Sequence, residues 1–293
     1  MKLSDFAKNF ILERILRKYL LKRFAQIPPF APPLCAERLI WNPNSTIFLD
    51  MTDDTAPDIM IEANGLSKYY GDFIAVENLN FSIRKGEVVA FLGPNGAGKS
   101  TTMKMLTGYL APSSGSAKVC GVEVAGNRNT VANRIGYLPE NGPLYEEMTP
   151  LSLLKFFGAA RGMEKATILE RMDQVVEQCA LETVLNKPIG KLSKGYRQRV
   201  GMANVLLHEP DVLIMDEPTA GLDPNQVLEV RKMIKGLGKT ILLSTHILQE
   251  VPNVADRIIL INQGRLIFEG PPEELEQEKS LDSWFNLKTM TAA

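Results

Sequence analysis

From Ile61 onward, short runs of β-branched and aliphatic residues alternate with longer stretches of helix formers. Four runs are almost uninterrupted: VVAFLG (Val88 to Gly93), VLIMD (Val212 to Asp216), TILLST (Thr240 to Thr245) and RIILIN (Arg257 to Asn262). Continuous apolarity, as opposed to strict alternation, belongs to strands covered on both faces, so these runs predict the inner strands of a largely parallel sheet. Between the first two lies a segment rich in helix formers, about Thr149 to His208, punctuated by Gly162, Pro188 and Gly190. It predicts a helical subdomain inserted into an α/β core. No internal repeat is visible, so one such core is expected.

The first 50 residues have another character. Residues 2 to 23 carry seven Lys or Arg against two acids, and Leu12, Ile15, Leu16, Tyr19 and Leu20 share one helical face. Phe6, Phe10, Leu21 and Phe24 fall on other faces and blur the stripe, and the proline-rich IPPFAPPL ends any helix. Glu13 and Arg14 interrupt the apolar region and no small-residue cleavage site follows, so the segment does not read as a signal peptide. Three readings stay open: a basic helix that lies on a membrane surface or a partner, a solvated extension, or a start placed too far upstream of a natural beginning at Met51. The expected organisation is an extension over 1–50, a linker over 51–60, the main domain over 61–270 and a short tail over 271–293. Leu275, Leu281, Trp284 and Phe285 in the tail suit a short helix docked on the core.

Composition narrows the function classes. With 33 basic and 34 acidic side chains in 293 residues, the net charge is −1, so no global field draws the chain onto nucleic acid or lipid. Any polyanion must be held by a local site. Cys35, Cys120 and Cys179 are widely spaced and form no CxxC pair, which argues against a disulfide framework or a zinc site and for a reducing, cytoplasmic compartment. Every apolar run breaks well before the 18 or so residues a membrane-spanning helix needs, so the chain is not expected to cross a bilayer.

The candidate chemistry starts at GPNGAGKST, residues Gly93, Pro94, Asn95, Gly96, Ala97, Gly98, Lys99, Ser100 and Thr101. It follows a predicted strand and should open a helix at about Lys99, the context that turns GxxxxGK[ST] into a P-loop. Glycines let successive N–H groups curl around phosphates, the helix N-terminus adds positive potential, Lys99 adds a full charge and the Ser100 hydroxyl can ligate Mg2+. A second metal-side carboxylate is expected at the end of a neighbouring parallel strand, and VLIMDEP supplies Asp216 there, with Glu217 next to it. Two adjacent carboxylates at a strand end repel each other, which makes a purely structural role unattractive. These features predict a nucleoside triphosphate site with Mg2+, a combination that would fit many NTPases; ATP as the nucleotide is what the family resemblance of the flanking motifs implies.

Upstream of VLIMDEP stands LSKGYRQRVGMA (Leu192 to Ala203), and downstream stand TAGLD (Thr219 to Asp223) and Ser244-Thr245-His246. Together with the P-loop they make the chain similar to the ATP-binding cassettes of ABC transporters over about residues 61 to 270. They match the family's signature, D-loop and switch histidine. The resemblance implies a P-loop NTPase core of the RecA-like type, with an inserted helical subdomain and a small antiparallel β region. It also implies that Ser193 and Gly195 contact the γ-phosphate of ATP held by a second, facing cassette, so that two chains, taken as identical, enclose two nucleotides. By the same resemblance Glu217 is the general base or water-orienting residue, His246 contacts the γ-phosphate, and Tyr70 stacks on adenine, with Tyr69 as its rival. His208, before Glu209-Pro210, is expected in a surface turn without a catalytic role.

The chain departs from the family's pattern twice. Glu140 in IGYLPENGPLYEEMT stands where the family usually has Gln, at a loop that touches the metal and the membrane partner, and is therefore a candidate metal-side carboxylate. Lys194 and Tyr196 replace Gly and Gln of the usual signature. This version of the signature, with YLPE and PLYEEMT, resembles cassettes of ABC-2 type exporters such as the gliding-motility ATP-binding protein. The resemblance implies a separate membrane-spanning permease as partner, no nucleic acid, and a location on the inner face of the cell membrane. Permease contacts are expected between Glu140 and Phe157, with Pro143, Leu144 and Tyr145 in front. A non-transport ABC ATPase acting on ribosomes or DNA is the other reading; such proteins usually carry two cassettes or a long coiled coil, and neither is visible here. A P-loop kinase or GTPase gives no reason for the signature.

Overall fold

The structure, a computed structural model, describes residues 58–140, 142 and 144–276. The 1–50 extension, residues 51–57 of the linker, Pro143, and Leu281, Trp284 and Phe285 of the tail lie outside the described residues, as does the side chain of Leu275.

The chain opens with a long hairpin, β1 (Ile59–Tyr70) and β2 (Phe73–Arg84), then β3 (Val88–Leu92) and α1 (Lys99–Leu106). Next come β4 (Ser114–Val119), β5 (Val122–Glu123), α2 (Arg128–Arg134) and β6 (Ile135–Leu138). Three helices follow, α3 (Pro150–Ala160), α4 (Lys165–Gln178) and α5 (Lys194–Leu206), within the segment expected to be helical. The remainder is β7 (Val212–Met215), α6 (Pro224–Gly236), β8 (Thr240–Thr245), β9 (Arg257–Asn262), β10 (Arg265–Gly270) and the short α7 (Glu273–Glu276).

Two sheets result. The larger has the order β10-β9-β3-β8-β7-β6; its inner pairs are all parallel and only the edge hairpin β9–β10 is antiparallel. The smaller, β2-β1-β4-β5, is antiparallel throughout. Successive residues of the parallel strands feed two separate cores. Ala90, Leu92, Leu213 and Met215 pack on the side of the inserted helices, whereas Val89, Phe91, Val212 and Ile214 pack toward α1 and the antiparallel sheet. That is why these strands read as unbroken apolar runs: both faces are covered, and each fully buried aliphatic or aromatic side chain contributes roughly 1.5–3 kcal/mol. The strand ends fall together on one side, so α1, Asp216 and His246 all follow carboxyl ends of neighbouring strands.

Caps fix the helices that matter for chemistry. Thr149 accepts the Ser152 N–H at 3.2 Å ahead of α3. Asp223 accepts the N–H groups of Asn225 and Gln226, each at 3.0 Å, ahead of α6. Ser193 caps α5 by accepting the Tyr196 N–H at 3.4 Å.

His208 differs from expectation. It lies in the expected turn but is half-buried, and its Nε2–H donates to the Ile135 carbonyl at 3.0 Å while Nδ1 is buried without a partner. Burial, and then the Arg161 charge, hold its pKa down at about 4 against the usual 6.5. The sign follows directly. Between pH 6.5 and 4 the unfolded chain takes up a proton that the folded chain refuses, so stability falls as pH drops through that window and gains nothing above it. A glutamine at 208 keeps a donor and removes the titration. His208→Gln is therefore expected to lose less stability than the wild type between pH 6.5 and 4 in urea melts; parallel losses would exclude His208 as the source.

Candidate active site

The loop after β3 is shaped by one glycine more than any other. Gly98 has φ 105°, and a Cβ there would sit 2.5 Å from the Ala75 carbonyl of β2. Only glycine allows the loop to pass this close to the antiparallel sheet and turn into α1. The first bond of the helix is Thr102 N–H to Gly98 O, at 2.9 Å, and Thr102 Oγ1 donates to the same carbonyl at 3.0 Å. The N–H groups of Lys99, Ser100 and Thr101 precede that bond and are the open donors of a helix N-terminus. Two further bonds pin the loop: Gly264 N–H donates to Ala97 O at 3.0 Å, and Glu77 N–H donates to Gly264 O at 2.8 Å.

Lys99 is only 6 % exposed. Its ammonium donates to Gly93 O at 2.8 Å and Pro94 O at 3.2 Å and lies 3.5 Å from Glu217 Oε1. Glu217 is itself 8 % exposed, and its Oε2 accepts from His246 Nδ1 at 2.8 Å. Asp216, 4 % exposed, lies beneath. Ser244 ties the two carboxylates together by donating to Asp216 Oδ1 at 2.6 Å and accepting the Glu217 N–H at 2.9 Å. The backbone of Glu217 is held at φ 50°, a conformation that costs a non-glycine residue about 1–2 kcal/mol. Such strain persists only where neighbours enforce it, and here it accompanies a side chain turned into a cleft.

That cleft, of about 320 Å3, is lined by Asn95, Gly96, Gly98, Lys99, Ser100, Thr101, Glu140, Glu217 and His246, together with Phe73 and Ala75. Gly93, Pro94, Ala97 and Asp216 are not among its lining residues. Tyr70 stands outside the lining, 51 % exposed, with Lys68 Nζ 5.4 Å from its ring centroid. Its direct partner across the hairpin is Phe73, which does line the cleft. Ser193 and Gly195 are not among the cleft's residues. Ser193 is exposed at the start of α5, while Gly195 is buried so closely against α6 that a Cβ would stand 2.7 Å from the Gln226 side chain.

Phe73, Ala75 and Ser244 escaped the residue-by-residue reading of the cleft. For Ser244 a signal existed: a hydroxyl closes an apolar strand one register step beyond Leu243, which pairs with Met215, and so stands beside Asp216.

The donor set suits a nucleotide and its cation. A deep N–H cradle with one buried lysine fits phosphates, and Ser100, Asp216 and Glu140 offer hard oxygen atoms of the kind Mg2+ takes. No cluster of three or more His, Cys, Asp or Glu able to hold a metal exists among the described residues.

The family described as ABC transporter matches residues 76–220. Over 219 residues the chain is 39 % identical to the Nod factor export ATP-binding protein I of Ralstonia nicotianae, covering 74 % of this chain and 68 % of that protein. It is 36 % identical over 238 residues to the bacitracin transport ATP-binding protein BcrA of Bacillus licheniformis, covering 80 % and 77 %. Among solved structures, cbiO1 from Clostridium perfringens, part of the ABC transporter complex cbiONQ, superposes with a TM-score of 0.70 at 32 % identity, covering 80 % of this chain and 97 % of that one.

Proposed function

Because this chain belongs to the ABC transporter ATP-binding family, whose cassettes hydrolyse ATP to power transport, we propose that two copies close head to tail over two nucleotides and drive a separate membrane permease. One observation carries the reading. Lys99, Glu217 and His246 meet in one cleft, while the capped N-terminus of α5, with Ser193 exposed, stands apart from it and is free to face a second chain.

In this reading each residue has a task. The N–H groups of the P-loop and Lys99 grip the β- and γ-phosphates, and Tyr70, beside Phe73 at the mouth of the hairpin, offers an aromatic face to adenine. Ser100 and Asp216, with Glu140 of the cleft lining, would hold Mg2+. When bound, the ion neutralises charge on the β- and γ-phosphate oxygens. Glu217 accepts a proton from the attacking water as its oxygen bonds to the γ-phosphorus and the bond to the ADP oxygen breaks. His246, bonded to Glu217, keeps that carboxylate aimed and lies close to the γ-phosphate. Ser193 and Gly195 of the facing chain complete the shell.

The permease reading is supported by the aromatic group on the helical subdomain. Tyr145 and Phe156 are exposed and pack with Phe157, with ring centroids 5.3–6.3 Å apart. No helix among the described residues is long and apolar enough to cross a membrane, so transport requires a partner that does; the chain would then work from the cytoplasmic face of the cell membrane. The export named for the Ralstonia relative, together with the LSKGYRQRVG form of the signature, favours an exporter.

The shared site is tested by mixing two inactive variants. Lys99→Met and Ser193→Arg each spoil both sites of their own homodimer. In a mixed dimer one site combines the intact Lys99 of one chain with the intact Ser193 of the other. Mixing is expected to restore nucleotide trapping to about a quarter of the wild-type level, since half of the dimers then carry one good site of two. A mixture as inactive as its parts would sink the head-to-tail site. Purifying the tagged chain from detergent-solubilised native membranes should bring an integral membrane protein with it.

A further inference from the structure

Two of the positions at which this chain leaves the family's pattern, Glu140 and Lys194, share one surface groove. This groove, of about 230 Å3, lies between the loop after β6 and the start of α5 and is shared with Leu144, Glu146 and Arg197. Glu140 also lines the nucleotide cleft, and it is the residue common to the linings of the two cavities. An exposed carboxylate thus stands between two sets of cationic groups. On the cleft side is Lys99, paired with Glu217, where the phosphates and their metal would bind; on the groove side are Lys194 and Arg197, with Glu146 beside them.

The two groove cations are not equivalent. Arg197 is half-buried and its Nη1 is engaged with the Leu192 carbonyl at 2.7 Å. Lys194 is exposed, and its ammonium lies against Gly221, where any side chain would collide with it. A lysine ammonium on a flexible four-carbon stem can follow a carboxylate over several ångströms, which a fixed guanidinium cannot.

We propose that Lys194 is a positioning residue that competes with the nucleotide-bound metal for the Glu140 carboxylate. With Lys194 present, Glu140 divides its time between groove and cleft; without it, the carboxylate is free to serve the cleft. The start of the signature helix is thereby coupled electrostatically to the metal side of the nucleotide site. The inference rests on the reading of Glu140 as a metal-side carboxylate.

A four-protein cycle on the full chain tests both layers separately. The measured quantity is the Mg2+ concentration at half-maximal binding of a non-hydrolysable ATP analogue, for wild type, Lys194→Met, Glu140→Gln and the double variant, each first shown to melt cooperatively. Exposed charge pairs couple weakly, so Lys194→Met is expected to lower the Mg2+ midpoint about two- to fivefold. Glu140→Gln should raise the midpoint, and in that background Lys194→Met should change nothing. An equal shift from Lys194→Met in both backgrounds, or none beside an intact Glu140, overturns the competition and leaves the metal reading standing. An unchanged midpoint for Glu140→Gln overturns the metal reading, and the competition with it.

Discussion

Glu217→Gln is expected to lower ATP turnover by about a hundredfold or more while leaving ATP binding intact, because a positioned general base contributes about 10²–10⁴ to rate. Glutamine fills the same volume and can still meet His246, so the strained turn at 217 and the cleft wall survive. What it cannot do is take the proton of the attacking water. A second consequence follows from the 3.5 Å approach of Lys99 to Glu217 Oε1. Removing the carboxylate's charge releases the ammonium from an internal partner, so nucleotide affinity should hold or rise. Single-turnover hydrolysis measured beside equilibrium binding separates the two effects. Turnover within tenfold of wild type would mean that another group activates the water.

The opposite pattern is expected of Lys99→Met. Here the loss falls on binding, by about a hundredfold or more, since a charge-assisted hydrogen bond contributes about 1.5–3 kcal/mol and Lys99 serves two phosphates. Methionine keeps the length and apolar stem, so α1 should remain packed through Met103 and Leu106, both fully buried. Its cost is local: the Glu217 carboxylate loses the cation 3.5 Å away and keeps the hydrogen bond from His246. Calorimetric titration with ATP in excess Mg2+ reads the change. Affinity within fivefold of wild type would remove Lys99 from the phosphate site.

The linear features of this molecule were open to a reader of the sequence. Thr240–Thr245 and Arg257–Asn262 are strands over the residues their apolar runs suggested, because strands buried on both faces leave a mark that needs no partner to be seen. The long hairpin β1–β2 left no such mark. Its register slips at several points, between Ala63 and Leu66 for instance, and each slip breaks the alternation that would announce a half-buried strand. The same gap hid Phe73 and Ala75, which reach the cleft only because that hairpin folds back over the P-loop. The partial burial of His208 was hidden for a related reason. Its environment is set by Ile135, 73 residues away in the chain, and a turn residue's burial cannot be read from its immediate neighbours. The P-loop and the pair Asp216–Glu217 needed no such context, since their chemistry is written in contiguous residues at strand ends.

One modest contact joins distant parts of the chain into a single device. The tip of the β9–β10 hairpin, through Gly264, is stitched on one side to Ala97 in the P-loop and on the other to Glu77 in β2. Hairpin tips are ordinarily the places where a chain accepts a tag, an added loop or a new terminus. This one is a clamp on the phosphate cradle, so protein engineers seeking an attachment point on the cassette should leave it untouched, however accommodating it looks from outside.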